Sequence, residues 1–351
     1  MIPVDQAIRI VLAESSTLRA ENVELVNAQD RILAEDIIAD TDLPPFDRAQ
    51  MDGYAVRAED VANAPARLRI AGESAAGAGW HHEMNSGEAV RIMTGAPVPK
   101  GADAVQQVEL TREDGSETVE IFESVSSGRS IVRQASEIKA GETVLRAGEE
   151  INAAMIATLA SFGYAEVKVG GRPRVAVMAT GSELVNVDQK PARDQIRDSN
   201  NYTIEAYASQ SNAIVARLPL AGDDTEELKR AMREAAEKCD VLITSGGVSM
   251  GVYDFTKAAL KELGAEIFFE RVALRPGKPT VFARLGKALV FGLPGNPVSV
   301  AVTFNLFART ALRAMQAATQ TMLAEDHAVL AHDVKGSIDR ESYLPAVLRT
   351  D

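Results

Sequence analysis

What this chain can fold into is constrained most by the stretch from Cys239 to Pro297. There, glycine-bearing turns follow strand-like runs three times: Thr244-Ser-Gly-Gly-Val-Ser-Met-Gly-Val-Tyr-Asp254, Leu274-Arg-Pro-Gly-Lys-Pro279 and Gly292-Leu-Pro-Gly-Asn-Pro297. Asp240-Val-Leu-Ile-Thr244 is short, apolar and β-rich, as a strand buried on both faces of a parallel sheet must be. Gly246, Gly247 and Gly251 open backbone conformations closed to other residues, and Asp254 reads as the cap of a helix from Phe255 to Leu263. Such a unit points free N–H groups above the sheet and suits a phosphate or another oxyanion. Arg275 and Lys278 flank Pro276-Gly277 and can neutralise anionic oxygens. Gly292 to Pro297 makes a rigid bend between the strand Ala288 to Phe291 and the helix Val298 to Met315. In an open α/β sheet the ligand crevice lies at the carboxyl ends of the strands, so the three turns are expected to converge there. Gly-Gly loops between strand and helix are common where nothing binds. The three turns together, beside Asp254, make this a candidate anion site.

A chain of 351 residues with 46% apolar residues is long enough for two or more domains, and with 5% aromatics its cores are aliphatic. The net charge of −13, with no Lys/Arg run, argues against a nucleic-acid partner. Cys239 is the single cysteine, which excludes an internal disulfide and reads as a small core residue. The apolar run Ile8 to Ala13 belongs to an amphipathic helix rather than a signal peptide, and no run approaches transmembrane length. The expected location is the cytoplasm, with no membrane partner. His81-His82, after Trp80 in a Gly-rich loop, reads as surface; His327 and His332 receive no role.

Pro3 to Glu14 reads as a helix, Asn22 to Val26 as a strand, and Asp30 to Ala34 as a helical turn. Leu43-Pro-Pro-Phe-Asp-Arg-Ala-Gln-Met-Asp-Gly-Tyr-Ala-Val56 then forces an extended entry, with Asp52-Gly53 as a turn before the strand Tyr54 to Val56. Asp52 reads equally as a turn former or a site residue. Strand runs at Arg67 to Ala71, Glu88 to Met93, Ala104 to Glu109 and Thr118 to Phe122 imply a small β-domain. Within it Thr94-Gly95 ends a strand, and Thr94 either donates to an anion or caps the turn. Asn152 to Phe162 is a helix. Beyond Gly170-Gly171-Arg-Pro173 strands and helices alternate: Val175 to Ala179, Asn201 to Ser211, Ala213 to Leu220 and Thr225 to Lys238. That is the pattern of a doubly wound α/β domain. Thr180-Gly-Ser-Glu183 and Ala221-Gly-Asp-Asp224 end two of its strands, so Glu183, Asp223 and Asp254 can all face the crevice, while Asp224 fits a helix cap. Carboxylates beside anion-binding loops repel the ligand unless a cation intervenes, and Mg²⁺ is the usual bridge.

Met51-Asp-Gly-Tyr-Ala55, Met93-Thr-Gly-Ala-Pro97, Ala179-Thr-Gly-Ser-Glu-Leu184, Ser245-Gly-Gly-Val-Ser249, Arg275-Pro-Gly-Lys-Pro279 and Gly292-Leu-Pro-Gly-Asn-Pro297 occur in the order seen in molybdopterin molybdenumtransferases. The chain resembles this family of molybdenum insertases, related to the E domain of gephyrin, over residues 3 to 350. The resemblance implies an enzyme that converts adenylylated molybdopterin and molybdate to molybdenum cofactor and AMP with Mg²⁺. It implies an α/β plus β multidomain fold: a discontinuous N-terminal linker domain (1–44 and 136–170), an inserted small β-domain (45–135), a molybdopterin-binding-like α/β domain (171–318) and the start of an incomplete C-terminal β-domain (319–351). Carried over by motif, Asp52, Thr94, Glu183, Asp223 and Asp254 would be catalytic, the last three holding the metal. Ser245, Gly246, Gly247, Arg275 and Lys278 would hold pterin or phosphate; Pro294 and Pro297, beside Asn296, would shape the molybdate pocket. A cleft shared within a homodimer is implied, with a molybdopterin adenylyltransferase or cofactor-accepting molybdoenzymes as further partners. Three departures stand out: Ala135-Ser-Glu137 where an aspartate element is usual, Arg275 in place of a frequent lysine, and Gln50 in place of a small residue. The alternatives are a molybdopterin adenylyltransferase, which the β-domain motifs oppose, and a gephyrin-like scaffold, which would not need the set of acids.

Overall fold

A computed structural model describes residues 1–115, 117–220, 225–246, 255–334, 336–337 and 339–349. The chain divides into two compact units. One comprises Met1–Asp36, Arg146–Ala160 and Tyr164–Asp351; the other comprises Ile37–Leu145 and Ser161–Gly163.

The second unit is a six-stranded sheet of β1 (Gly53–Val56), β2 (Ala66–Ser74), β3 (Glu88–Ile92), β4 (Ala104–Gln107), β5 (Thr111–Asp114) and β6 (Thr118–Ile121), in the order β4-β1-β3-β2-β6-β5. Side chains alternate across the pleat. Tyr54 and Val56 therefore join Leu68, Val119 and Ile121 on one face, while Ala55 joins Val90, Ile92 and Val105 on the other. The edge strand β5 was not expected from the sequence. Its Thr-Arg-Glu-Asp carries no apolar alternation, and it is held by ladder bonds and by Arg112–Glu120 across to β6. At Gly53 the backbone of β4 comes so close that an added Cβ would lie 1.9 Å from the Gln106 carbonyl oxygen.

In the first unit, the helix α1 (Val4–Glu14) packs on an α/β sheet of β7 (Arg174–Ala179), β8 (Ile214–Arg217), β9 (Val241–Ser245), β10 (Glu266–Phe269), β11 (Val281–Leu285) and β12 (Ala288–Leu293). The order is β8-β7-β9-β12-β11-β10, with β7, β8, β9 and β12 parallel and β11 antiparallel to both neighbours. Of the further helices α2 (Ala153–Ser161), α3 (Asn200–Gln210), α4 (Thr225–Lys238), α5 (Phe255–Glu262), α6 (Pro297–Thr303) and α7 (Arg309–Met315), α3, α6 and α7 join α1 on one face. There Ile204, Val300 and Leu312 meet Val175, Val177, Ile243 and Phe291. On the other face Leu228 and Met232 of α4 and Leu260 of α5 meet Ala176, Met178, Leu242 and Val290. The parallel strands are apolar on both sides because both sides are covered, which is the doubly wound arrangement expected. Cys239 lies in this core, 4% exposed, where burial pushes its thiol up to about 11.

Some local expectations change. Asp30 takes a left-handed φ of 63°, and Ile32 and Leu33 form bridges to Glu150 and Val169 instead of a helical turn. The expected helix Val298 to Met315 is interrupted by a π-helical turn, Phe304–Ala308. Around it the side chains of Thr303 and Asn305 bond the carbonyls of Ser299, Val300 and Ala301 in competition with the helical ladder. The strand-like run placed before the Leu274 turn is β10, whereas β11 escaped the sequence reading. Near the end of the chain, Glu341–Ser342 pairs in parallel with Leu274–Arg275. Among the described residues no helix is long and apolar enough to cross a membrane.

Gly53→Ala is expected to cost more than about 3 kcal/mol, since a ladder must open to admit the methyl group. Gly87→Ala, with φ 77° and open space around it, should cost only about 1 kcal/mol. Urea unfolding of both variants checks the order, and equal losses would contradict the close contact.

Candidate functional site

The chain leaves β7 for β8 through α3 on one face and returns through α4 on the other to β9, on the far side of β7. The switch point of the sheet is thus the gap between the carboxyl ends of β7 and β9, where doubly wound proteins bind ligands. Backbone groups close this gap. Thr180 N donates to Ser245 O at 2.9 Å, and Gly246 N donates to Leu293 O at 3.1 Å. Gly246 has φ 90°, and a Cβ there would come within 2.4 Å of the Thr180 carbonyl oxygen. A Cβ on Gly295 would stand 3.8 Å from Gly246 Cα. The ends of β7, β9 and β12 therefore meet backbone to backbone, and glycine at 246 is required twice, by conformation and by space.

The start of α3 reaches into the same place. Asn200 Nδ2 donates to Ser245 Oγ and to Gly295 O, both at 2.8 Å. The 4% exposed Asp198 accepts from Asn201 N through Oδ1 at 3.1 Å, as a helix cap does. Sequence reading missed Asn200. The run Asp198-Ser-Asn-Asn201, four capping-type residues at a helix start, was the available signal.

The remaining predicted residues divide. Glu183 is exposed, and its carboxylate folds back over Gly181, where an added Cβ would lie 2.5 Å from Oε2. Asn296 is committed to capping α6, accepting from Val298 N at 3.0 Å and Ser299 N at 3.4 Å, with Pro297 in the first turn. Pro294 is buried, Pro297 and Arg275 are exposed, and Lys278 is half-buried. β10 runs parallel to β12, so the loop carrying Arg275 and Lys278 lies at the carboxyl edge of the sheet. Gly277 fits it closely against Thr303 of α6, its added Cβ being 2.5 Å from Thr303 Cγ2. Asp223, Gly247 and Asp254, including the expected cap at Asp254, lie outside the described residues. Among the described residues no group of three or more His, Cys, Asp or Glu stands together as a metal site.

In the β-rich unit, Asp52 and Thr94 do come together. Asp52 Oδ1 accepts from Thr94 N at 2.6 Å and from Thr94 Oγ1 at 2.8 Å. These bonds, the backbone one foremost, hold the exposed Asp52 carboxyl below its ordinary value of 3.8. The Thr94 hydroxyl thus serves a carboxylate. Glu137 pairs with Arg48 at 3.4 Å, while Asp47 pairs with Arg133 at 2.5 Å.

A doubly wound domain with glycine loops meeting at its switch point is the class of a molybdopterin-binding domain, and residues 176–314 match the family described as a probable molybdopterin binding domain. Residues 2–163 match the MoeA N-terminal region, domains I and II. The chain is 40% identical over 315 residues to a molybdopterin molybdenumtransferase of Bacillus subtilis, covering 88% of this chain and 73% of that one. It is 41% identical over 308 residues to that of Haemophilus influenzae, covering 87% and 75%. A crystal structure of a molybdopterin biosynthesis moeA protein from Pyrococcus horikoshii OT3 superposes with a TM-score of 0.79 at 30% identity, over 92% of this chain and 81% of that one. The chain belongs to the molybdopterin molybdenumtransferase family.

Because the folded-state pKa of Asp52 is depressed, its bonds to Thr94 stabilise the fold above pH 3.8 and are lost as the pH falls through the lower folded value. Thr94→Val keeps the backbone donor and removes the hydroxyl. An NMR titration of Asp52 should show its pKa rising part of the way back in this variant; an unchanged midpoint would contradict the paired geometry.

Proposed function

We propose that this chain is a molybdenum insertase: it takes adenylylated molybdopterin and molybdate, releases AMP and forms molybdenum cofactor. The observation that carries the reading is the meeting of the β7, β9 and β12 ends through Gly246 and Gly295. It leaves a floor of backbone groups at the switch point, with the Asn200 amide bonded across it, of the kind that suits an anionic ligand. Ser245, Gly246 and Gly247 would seat that ligand, and Arg275 and Lys278, at the same edge of the sheet, would neutralise its phosphate oxygens. Pro294 and Pro297, held by the capped turn at Asn296, would give molybdate a rigid wall.

The phosphoanhydride of the substrate is attacked at phosphorus by water or by a molybdate oxygen, its bridging P–O bond breaks, and AMP leaves. The two dithiolene thiols of molybdopterin would then bind the molybdenum in place of one oxo group, which leaves as water with their two protons, so no change of oxidation state is needed. Asp52, ionised at neutral pH and held by Thr94, would act by orienting a water rather than as a nucleophile.

The exposed Glu183 carboxylate, folded over a strand-end glycine, is a hard oxygen donor of the kind Mg²⁺ takes alongside phosphate oxygens. Glu183, Asp223 and Asp254 would hold that ion, which supplies charge neutralisation to the phosphoanhydride. We further propose that the protein works as a cytoplasmic homodimer and exchanges substrate or product with an adenylyltransferase and with molybdoenzymes.

AMP release from adenylylated molybdopterin, measured with Mg²⁺ and with or without molybdate, tests the reading. Molybdate-dependent release is expected, and Asp254→Asn should lower it by about a hundredfold or more. Tight ligand binding without release would favour the scaffold, and consumption of ATP with molybdopterin, releasing pyrophosphate, would favour the adenylyltransferase.

A further inference from the structure

The amide of Asn200 has a use the fold itself does not fill. Its Nδ2 gives both hydrogens away, to Ser245 Oγ and to the Gly295 carbonyl. A carbonyl only accepts, so the Gly295 bond fixes which end of the amide is nitrogen. The remaining Oδ1 is buried and has no hydrogen-bond partner. Buried polar atoms of folded proteins are nearly always paired, so an orphan in a binding crevice points to a donor that arrives with the ligand. Asn201 also has an unpartnered Oδ1, but that residue is 1% exposed, whereas Asn200 stays part-exposed at the switch point.

An acceptor repels acceptors. Phosphate and molybdate oxygens cannot satisfy Oδ1, although the neighbouring glycine loop reads from sequence as an anion cradle. Resting on the insertase reading, we infer that Asn200 determines specificity by accepting a hydrogen bond from an N–H or O–H group of the substrate. The donor-bearing ring system, and not the phosphate or the molybdate, then lies against the ends of β7 and β9. Two parts of adenylylated molybdopterin carry such donors: the amino and ring N–H groups of the pterin, and the amino and hydroxyl groups of the adenosine. The same two Nδ2 bonds fix the orientation of the amide, so its acceptor end is defined before any ligand arrives.

Calorimetric titration of the whole chain and of Asn200→Ala with molybdopterin, with AMP and with molybdate alone tests the inference. Binding of one donor-bearing probe should weaken by about tenfold to a hundredfold, with molybdate binding unchanged. Loss confined to molybdopterin identifies the pterin as the donor, and loss confined to AMP identifies the nucleoside. No change for either, or an equal loss for all three with a fall in Tm, would make Asn200 a structural clamp and overturn the inference. Asn200→Asp keeps an acceptor but gives up both donated bonds. It should bind the affected probe better than Asn200→Ala at an equal or lower Tm, and binding no better than Asn200→Ala counts against the acceptor role. Wild-type protein that binds none of the three probes overturns the insertase reading and this inference with it.

Discussion

Everything proposed for this protein depends on one close approach: the backbone of Gly246 against the carbonyl of Thr180, with Gly295 beside it. Strand ends in a parallel sheet stand about 4.8 Å apart, and side chains on the loops that follow would normally fill the space above them. Here glycine lets the backbones of the three strand ends meet. The price in backbone entropy falls on a few residues, and the sheet behind them is anchored by apolar side chains on both faces. A rigid floor of backbone groups results, which suits a ligand that is large and anionic.

Much of this was legible in the sequence because the same residues that shape the backbone also mark it. Gly246, Gly277 and Pro297 stand in turns that few other residues can make, so the motifs carrying them fixed both the strand ends and the loops. The doubly wound pattern followed from runs such as Val175 to Ala179 and Val241 to Ile243, which are apolar throughout because helices cover both faces. Asp52 and Thr94, 42 residues apart, were each singled out for its own turn, and their pairing depends on β1 and β3 lying side by side.

What sequence did not reveal was decided by tertiary contact. β5 is a polar edge strand whose identity comes from its partner. The π turn at Phe304–Ala308 comes from side-chain hydroxyl and amide groups bonding back to carbonyls, an effect invisible to apolar periodicity. Asn200 was not singled out in the sequence. Its importance lies in bonds to Ser245 and to Gly295, 45 and 95 residues away, and no local pattern announces those.

The most direct test of the site is amide hydrogen exchange of the protein with and without adenylylated molybdopterin. Protection is expected in the segments that hold Thr180 to Glu183, Asn200 and Asn201, Ser245 and Gly246, and Leu293 to Pro297, because these meet at the switch point. Protection confined to other segments, such as the outer surface of α4, would contradict the placement of the ligand there.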